Sequence, residues 1–299
     1  VHSGPEPPIV VRDVTKRYGH VRAVDRLSFD VPQGSITGFL GPNGAGKTTM
    51  LRILGGLVRP TNGRATLSGI DARRPSARRR LGYMPADPAF LAQLSGTANL
   101  DLLARLRGST DKRVRADIAA AVGLPAADLD RPVGHYSSGM RQKLAIVAAL
   151  QHRPEIVLLD EPANRLDPLA HRAFCRALRT VADDGAAVLL SSHVLAEVEA
   201  VCDSVLLVRE GQLLKSARVD DLRAHAERLV TVTYVRPPAR APDMLGDPVV
   251  DECTVVGRLP AGRPDLVRRL LDEPDLRDIT VAPLSLEEVV LDLYAGGQR

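Results

Sequence analysis

Nine residues, Gly41-Pro42-Asn43-Gly44-Ala45-Gly46-Lys47-Thr48-Thr49, have the types and spacing to hold a polyphosphate. They fit the pattern G-x-x-x-x-G-K-[ST]. Three glycines let the backbone curl until several N–H groups face one anion, and a helix starting there adds its positive end. Lys47 can reach β- and γ-phosphates, and the Thr48 hydroxyl can ligate Mg²⁺. A second centre lies far downstream. Ile156-Val157-Leu158-Leu159 is an apolar run that ends in Asp160 and Glu161. One carboxylate can serve Mg²⁺ through water while the other polarises an attacking water as base. Between the two, Tyr136-Ser137-Ser138-Gly139-Met140-Arg141-Gln142 puts a Ser-x-Gly turn at the start of a helix. Such a turn serves as a further anion site or as an ordinary capped start, with Ser137 or Ser138 as the cap.

These residues need a scaffold that brings them to one edge. Ser35 to Leu40, before the glycine loop, has the length and apolarity of a buried strand, and Thr48 to Leu54 can open a helix. Strands are predicted at residues 9–14, near 27–31, 64–67, 81–84, 156–160, 187–191 and 204–209. Helical spacing covers residues 97–122, with Leu100, Leu103 and Leu106 and then Val114, Ile118 and Val122 recurring on one face. Further helices are predicted at 138–151, 168–183 and 195–201. Strands alternating with helices in this way imply a mostly parallel sheet covered by helices, an α/β class. The pattern changes near residue 218. A connecting helix at 219–226, strands at 229–235, within 253–259 and near 279–281, and helices at 264–271 and 286–294 describe a small α+β domain over residues 218–299.

Composition narrows the function classes. No apolar run in the 299 residues approaches the ~18–20 that a membrane-spanning helix needs. Three cysteines without C-x-x-C spacing argue against a zinc or disulfide framework and for a reducing compartment. Net charge is +4, but only five of the 40 basic residues are Lys, and aromatics make up 3% with no Trp. No stacking surface for nucleic acid is visible, and no nucleic-acid partner is expected. The cluster Arg73, Arg74, Arg78, Arg79 and Arg80 reads as a solvated helix face rather than a polyanion site, with contact to lipid headgroups an intermediate reading.

The order of these motifs carries more than any one of them. The glycine loop is followed by Ser-Ser-Gly-Met-Arg-Gln, then by Leu-Leu-Asp160-Glu161-Pro162, then by Asn164-Arg165-Leu166-Asp167-Pro168, then by Ser191-Ser192-His193. Over residues 9–216 this resembles the ATP-binding cassette (ABC) ATPases. It looks most like the cassettes of bacterial ABC-2-type exporters, whose signature begins Tyr-Ser-x-Gly-Met-Arg-Gln. The resemblance implies a P-loop cassette with a mixed sheet core over residues 1–217 and a helical subdomain at about 88–150. It implies ATP and Mg²⁺ as ligands. It matches Tyr18 to the aromatic that stacks on adenine, Gly41 to Thr49 to the phosphate loop, Thr48 and Asp160 to the metal side, and Glu161 to the catalytic base. It matches Lys47 and His193 to groups that meet the γ-phosphate. Ser137 and Gly139 match the signature loop, which in this family touches ATP held by a second copy, and Asp167 matches the acid that communicates across that head-to-tail dimer. The partner implied is an integral membrane permease, with the chain peripheral on the cytoplasmic face of the cell membrane.

Three positions depart from the family pattern. Ala86 follows Gly82-Tyr83-Met84-Pro85, where Gln or Glu is usual, so no side-chain oxygen is offered there unless Asp87 substitutes. Ser138 replaces a glycine, which is ordinary in the ABC-2 branch. Arg165 stands where a small residue is usual and is expected to crowd or pair across the dimer. The favoured function is therefore an ATP-hydrolysing subunit that drives export of drugs, antibiotics or other lipophilic compounds. An importer subunit or an ATP clamp with little turnover are the alternatives.

Overall fold

The computed structural model describes residues 6–108, 111–224, 227–260 and 262–284, together with 288 and 290. The chain divides into two compact units, Val1–Ala217 and Arg218–Arg299. Strands β1 (Ile9–Tyr18) and β2 (Val21–Val31) open the first unit as a long antiparallel pair. Both run well beyond the predicted 9–14 and 27–31. Asp13 and Arg26, at φ 49° and 50°, let the pair slip register and continue past the apolar stretches that mark it in sequence. Strand β3 (Ile36–Leu40) follows, then helix α1 (Lys47–Leu54) and strands β4 (Asn62–Leu67) and β5 (Ile70–Asp71). The first small sheet has the order β2-β1-β4-β5.

Strand β6 (Leu81–Met84) enters the main sheet after a 3₁₀ turn at Pro75–Arg80. The arginine cluster sits on this turn and its approach rather than on an α-helical face, with Arg73 paired to Asp71 and Arg80 to Glu155. Four helices come next: α2 (Gly96–Arg107), α3 (Lys112–Ala121), α4 (Ala126–Leu129) and α5 (Ser138–Leu150). The single helical stretch expected at 97–122 is two helices. Gly108, at φ 81°, ends the first, and the Asp111 carboxylate caps the second.

The remainder of the unit is β7 (Ile156–Asp160), α6 (Pro168–Asp183), β8 (Ala187–Ser192), α7 (Leu195–Val201), β9 (Ser204–Arg209) and β10 (Gln212–Arg218). The main sheet has the order β10-β9-β3-β8-β7-β6, and its five inner and far strands from β9 to β6 are parallel. Strands β3, β7 and β8 are buried along their whole length, which is why they read as unbroken apolar runs. Glu210 and Gly211, at φ 52° and 79°, form the two-residue turn of the β9–β10 hairpin. One core joins the two sheets, with Phe29 of β2 and Phe39 of β3 in ring contact at 5.7 Å.

In the second unit, α8 (Val219–Ala224) leads to an antiparallel sheet of β11 (Arg228–Tyr234), β12 (Gly246–Asp251), β13 (Thr254–Leu259) and β14 (Leu276–Pro283), ordered β12-β13-β11-β14. Helix α9 (Pro264–Leu271) packs Leu266, Val267 and Leu270 on Val230, Val232 and Val255. Of the helix expected at 286–294, only residues 288 and 290 are among the described residues, and both are helical. Most of the tail Leu284 to Val289 that matched the exporter branch lies outside the described residues. Among the described residues no helix is long and apolar enough to cross a membrane.

Candidate nucleotide site

Parallel strands deliver their carboxyl ends to one edge, and ligands of open α/β sheets gather there. Here Leu40 of β3 is in register with Ser192 of β8, and Ser191 with Asp160 of β7. The glycine loop leaves β3 at that edge, Glu161 leaves β7, and His193 leaves β8. Glycine is required in the loop by two close approaches. A Cβ on Gly46 would come within 2.3 Å of the Ala23 carbonyl, at φ 97°, and one on Gly41 within 2.3 Å of the Val208 carbonyl. Helix α1 then begins with Gly46 at its cap position, with no side-chain cap and no acid in its first turn. Its leading N–H groups are left for an anion.

Side chains complete a cleft of about 480 Å³, lined by Tyr18, Ala23, Asn43 to Thr49, Glu161, Asn164 and His193. The Lys47 ammonium is buried. It donates to the Gly41 carbonyl at 2.6 Å and the Pro42 carbonyl at 3.2 Å, and lies 3.5 Å from Glu161 Oε1. On the other side, Glu161 Oε2 is 2.8 Å from His193 Nδ1. Glu161 itself has φ 51°, a region costly for a non-glycine residue, and this turn aims its carboxylate back over the loop. Asp160 is 1% exposed. Its Oδ1 accepts from Ser191 Oγ at 2.7 Å and Thr48 Oγ1 at 3.2 Å, while Oδ2 is buried with no hydrogen-bond partner among the described residues. Burial pushes its pKa up, against the two hydroxyl hydrogen bonds. Tyr18 is half exposed at the rim, and the Lys16 ammonium lies 4.9 Å from its ring centre.

The cleft thus gathers Tyr18, the loop from Asn43 to Thr49, Glu161 and His193, with Asp160 beneath. Ser137, Gly139 and Asp167 are not part of its lining. In this chain Ser137 caps α5, accepting from the Met140 N–H at 3.1 Å, and Asp167 caps α6, accepting from the Ala170 N–H at 2.9 Å. Arg165 has φ 73° and lies 3.9 Å from Asp87 of its own chain. Three residues to which no role was assigned also serve the site. Ser191 Oγ both donates to Asp160 and accepts from the Glu161 N–H at 2.9 Å. Asn164 Nδ2 lies 3.5 Å from Glu161 Oε2, and the Ala23 main chain fixes Gly46. Ser191 and Asn164 lie in the quoted motifs, so their position was a signal. Nothing in the sequence marks Ala23.

A glycine loop and an uncapped helix at the carboxyl edge of a parallel sheet, with an acid pair at the end of the next strand but one, define a P-loop nucleoside triphosphatase. Comparison with known proteins narrows this. The ABC transporter family profile matches residues 24–164. Bacitracin transport ATP-binding protein BcrA of Bacillus licheniformis is 38% identical over 218 residues, covering 72% of this chain and 71% of that protein. A solved ATP-binding subunit of an ABC transporter is 31% identical with TM-score 0.68, covering 72% and 91% of the two chains. A bacterial ABC transporter cassette solved as a dimer shares the fold, with TM-score 0.65, 21% identity and coverage of 71% and 98%. The chain belongs to the ABC transporter family, as an ATP-binding and ATP-hydrolysing subunit.

Proposed function

We propose that this chain is the engine of an ABC-2-type exporter of a drug, antibiotic or other lipophilic compound, coupled to a separate membrane permease at the cytoplasmic face. The observation that carries the catalytic part is the Glu161 carboxylate, held between Lys47 and His193 over the phosphate loop. The α1 amides and Lys47 bind the phosphates, and Tyr18 at the rim takes the adenine. Glu161 orients the attacking water and receives its proton, and His193 holds Glu161 and meets the γ-phosphate. Thr48 and Asp160 fit Mg²⁺: both offer oxygen, and the orphaned Asp160 Oδ2 gives a hydrated cation a buried anchor. When bound, the metal neutralises charge on the β- and γ-phosphates.

Ser137, Gly139 and Asp167 stand outside the cleft, which supports a head-to-tail pair in which each copy closes the other's site. Leu169 and Val194, exposed beside Asp167 and His193, give such a contact apolar surface. The transport role named for the Bacillus relative supports an antibiotic or similar cargo. The loop from Ala86 to Gln93, with Leu91 half exposed, supports docking of the permease, and Ala86 leaves that contact without the usual side-chain oxygen. Arg218–Arg299 acts as an accessory domain. The test is Glu161→Gln in the purified chain. Mg²⁺-dependent turnover is expected to fall ~10²–10⁴-fold while ATP binding is kept. Wild-type turnover in the variant removes Glu161 as the base.

A further inference from the structure

Beyond Asp160 the chain leaves the sheet, and its main-chain groups lose their ladder partners. Glu161 is nevertheless gripped on both sides. Its N–H donates to Ser191 Oγ at 2.9 Å. Its carbonyl accepts at 3.1 Å from Gln142 Nε2, which also donates to the Pro162 carbonyl at 3.0 Å. Gln142 is 1% exposed and lies in the second turn of α5. A neutral amide is the side chain that supplies two hydrogens from one buried nitrogen without burying a charge. Between these grips sits the φ of 51° that turns the Glu161 carboxylate toward Lys47 and His193. Such a conformation persists only where its surroundings over-determine it.

The same helix touches the segment a second time. A Cβ on Gly139 would lie 2.9 Å from the Arg165 carbonyl, so the start of α5 rests directly on the turn that follows Glu161. We propose that Gln142 is a positioning residue, which holds Glu161 in its strained conformation and ties the aim of that carboxylate to the placement of α5. It acts through the main chain and does not touch substrate. A shift of the Ser137–Gly139 end of α5 is therefore felt at Glu161 in the same chain. The proposal rests on the reading of Glu161 as base.

The experiment compares Gln142→Ala, Gln142→Glu and Glu161→Gln in the full chain, measuring kcat, ATP affinity with a fluorescent ATP analogue, and thermal unfolding. Gln142→Ala is expected to lower kcat ~100-fold, the scale of a small misplacement of a reacting group, with ATP affinity within about threefold of wild type. Gln142→Glu keeps shape and volume but has no hydrogen to donate when ionised and one when protonated. Its kcat deficit relative to wild type is expected to shrink as pH is lowered, a trend that lost packing would not produce. Wild-type kcat in a folded Gln142→Ala or Gln142→Glu chain overturns the proposal. So does a loss of ATP affinity in step with kcat, or failure of both variants to fold, since each makes Gln142 a general structural support. If Glu161→Gln also turns over like wild type, the base assignment has failed first. If Glu161→Gln is inactive and the Gln142 variants are active, only the positioning role has failed.

Discussion

Helices α1 and α5 both begin at short turns rich in Gly, Ser or Thr, yet their first turns are satisfied differently. At α1, Gly46 offers no side chain and the leading N–H groups have no protein cap. At α5, the Ser137 hydroxyl already accepts from Met140, and at α6 the Asp167 carboxylate accepts from Ala170 and pairs with Lys143 at 3.4 Å. The acids follow the same division. Asp160, below α1, has one oxygen unpartnered and its pKa pushed up by burial, whereas the Ala170 N–H, ahead of Lys143, holds Asp167 below its ordinary value. One region is built with unmet polar groups and the other is closed on itself. An anion is therefore expected to bind first at α1. A phosphate reaching α5 from a second copy would meet a hydroxyl that already accepts one internal hydrogen bond and has its own hydrogen left to donate.

The largest effect expected from this difference is at Gly46. Gly46→Ala forces a Cβ against the Ala23 carbonyl at a left-handed φ, so the loop and α1 must separate. ATP affinity of the chain should fall ~100-fold or more, about 2.7 kcal/mol, in a titration with a fluorescent ATP analogue. Ser137→Ala in the same titration should lower affinity far less than Gly46→Ala and cost about 1 kcal/mol of stability, the value of a cap. Equal losses of affinity in the two variants would erase the distinction between the regions.

A smaller effect separates the two acids. The folded pKa of Asp160 is raised, so the folded chain holds that proton more readily than the unfolded one. Its contribution is most favourable below the unfolded carboxylate range and is lost as pH rises through the raised value. Asp160→Asn should therefore raise the unfolding midpoint at neutral pH by a few degrees, while abolishing the further rise that Mg²⁺ with ATP gives wild type. Asp167 has the opposite sign. Its stabilising interactions are present above the unfolded carboxylate range and lost as pH falls through the lowered value. Asp167→Ala should lower the midpoint at neutral pH and have less effect in acid. Scanning calorimetry across pH reads both, and a destabilised Asp160→Asn chain would show that the acid is not held at a cost.

Sequence made the unmet region plain and the closed one ambiguous. Glycine spacing and the wholly buried strands β3, β7 and β8 are local signals with few alternatives. Ser137 and Asp167 carry the signal of a helix cap whether or not they also meet a ligand, so their neighbourhood had to come from three dimensions. Two of the overlooked strands share a cause. β10 and β12 are exposed along most or all of their length, and β12 contains Pro248, so neither shows the apolar run or alternation that marks a buried strand. The hold of Gln142 on Glu161 spans 19 residues and joins a helix to a main-chain turn, a contact that periodicity cannot express.

The smallest predicted effect tests whether the closed region is free of strain. Arg165 lies within it at φ 73°, where a side chain beyond Cα costs about 1 kcal/mol or more. Its ion pair cannot offset that. Asp87 is 96% exposed and the charges stand 3.9 Å apart, so the pair contributes no more than about a few tenths of a kcal/mol. Arg165→Ala removes the guanidinium and keeps the strained backbone, and should leave stability near wild type in urea unfolding at low and high salt alike. Arg165→Gly removes both and should be more stable than the alanine variant by about 1 kcal/mol. If glycine and alanine prove equal, the turn relaxes without cost and the region is as closed energetically as its hydrogen bonds suggest. If glycine gains stability, strain is stored at the carbonyl on which Gly139 rests, and the start of α5 is the element that keeps it there.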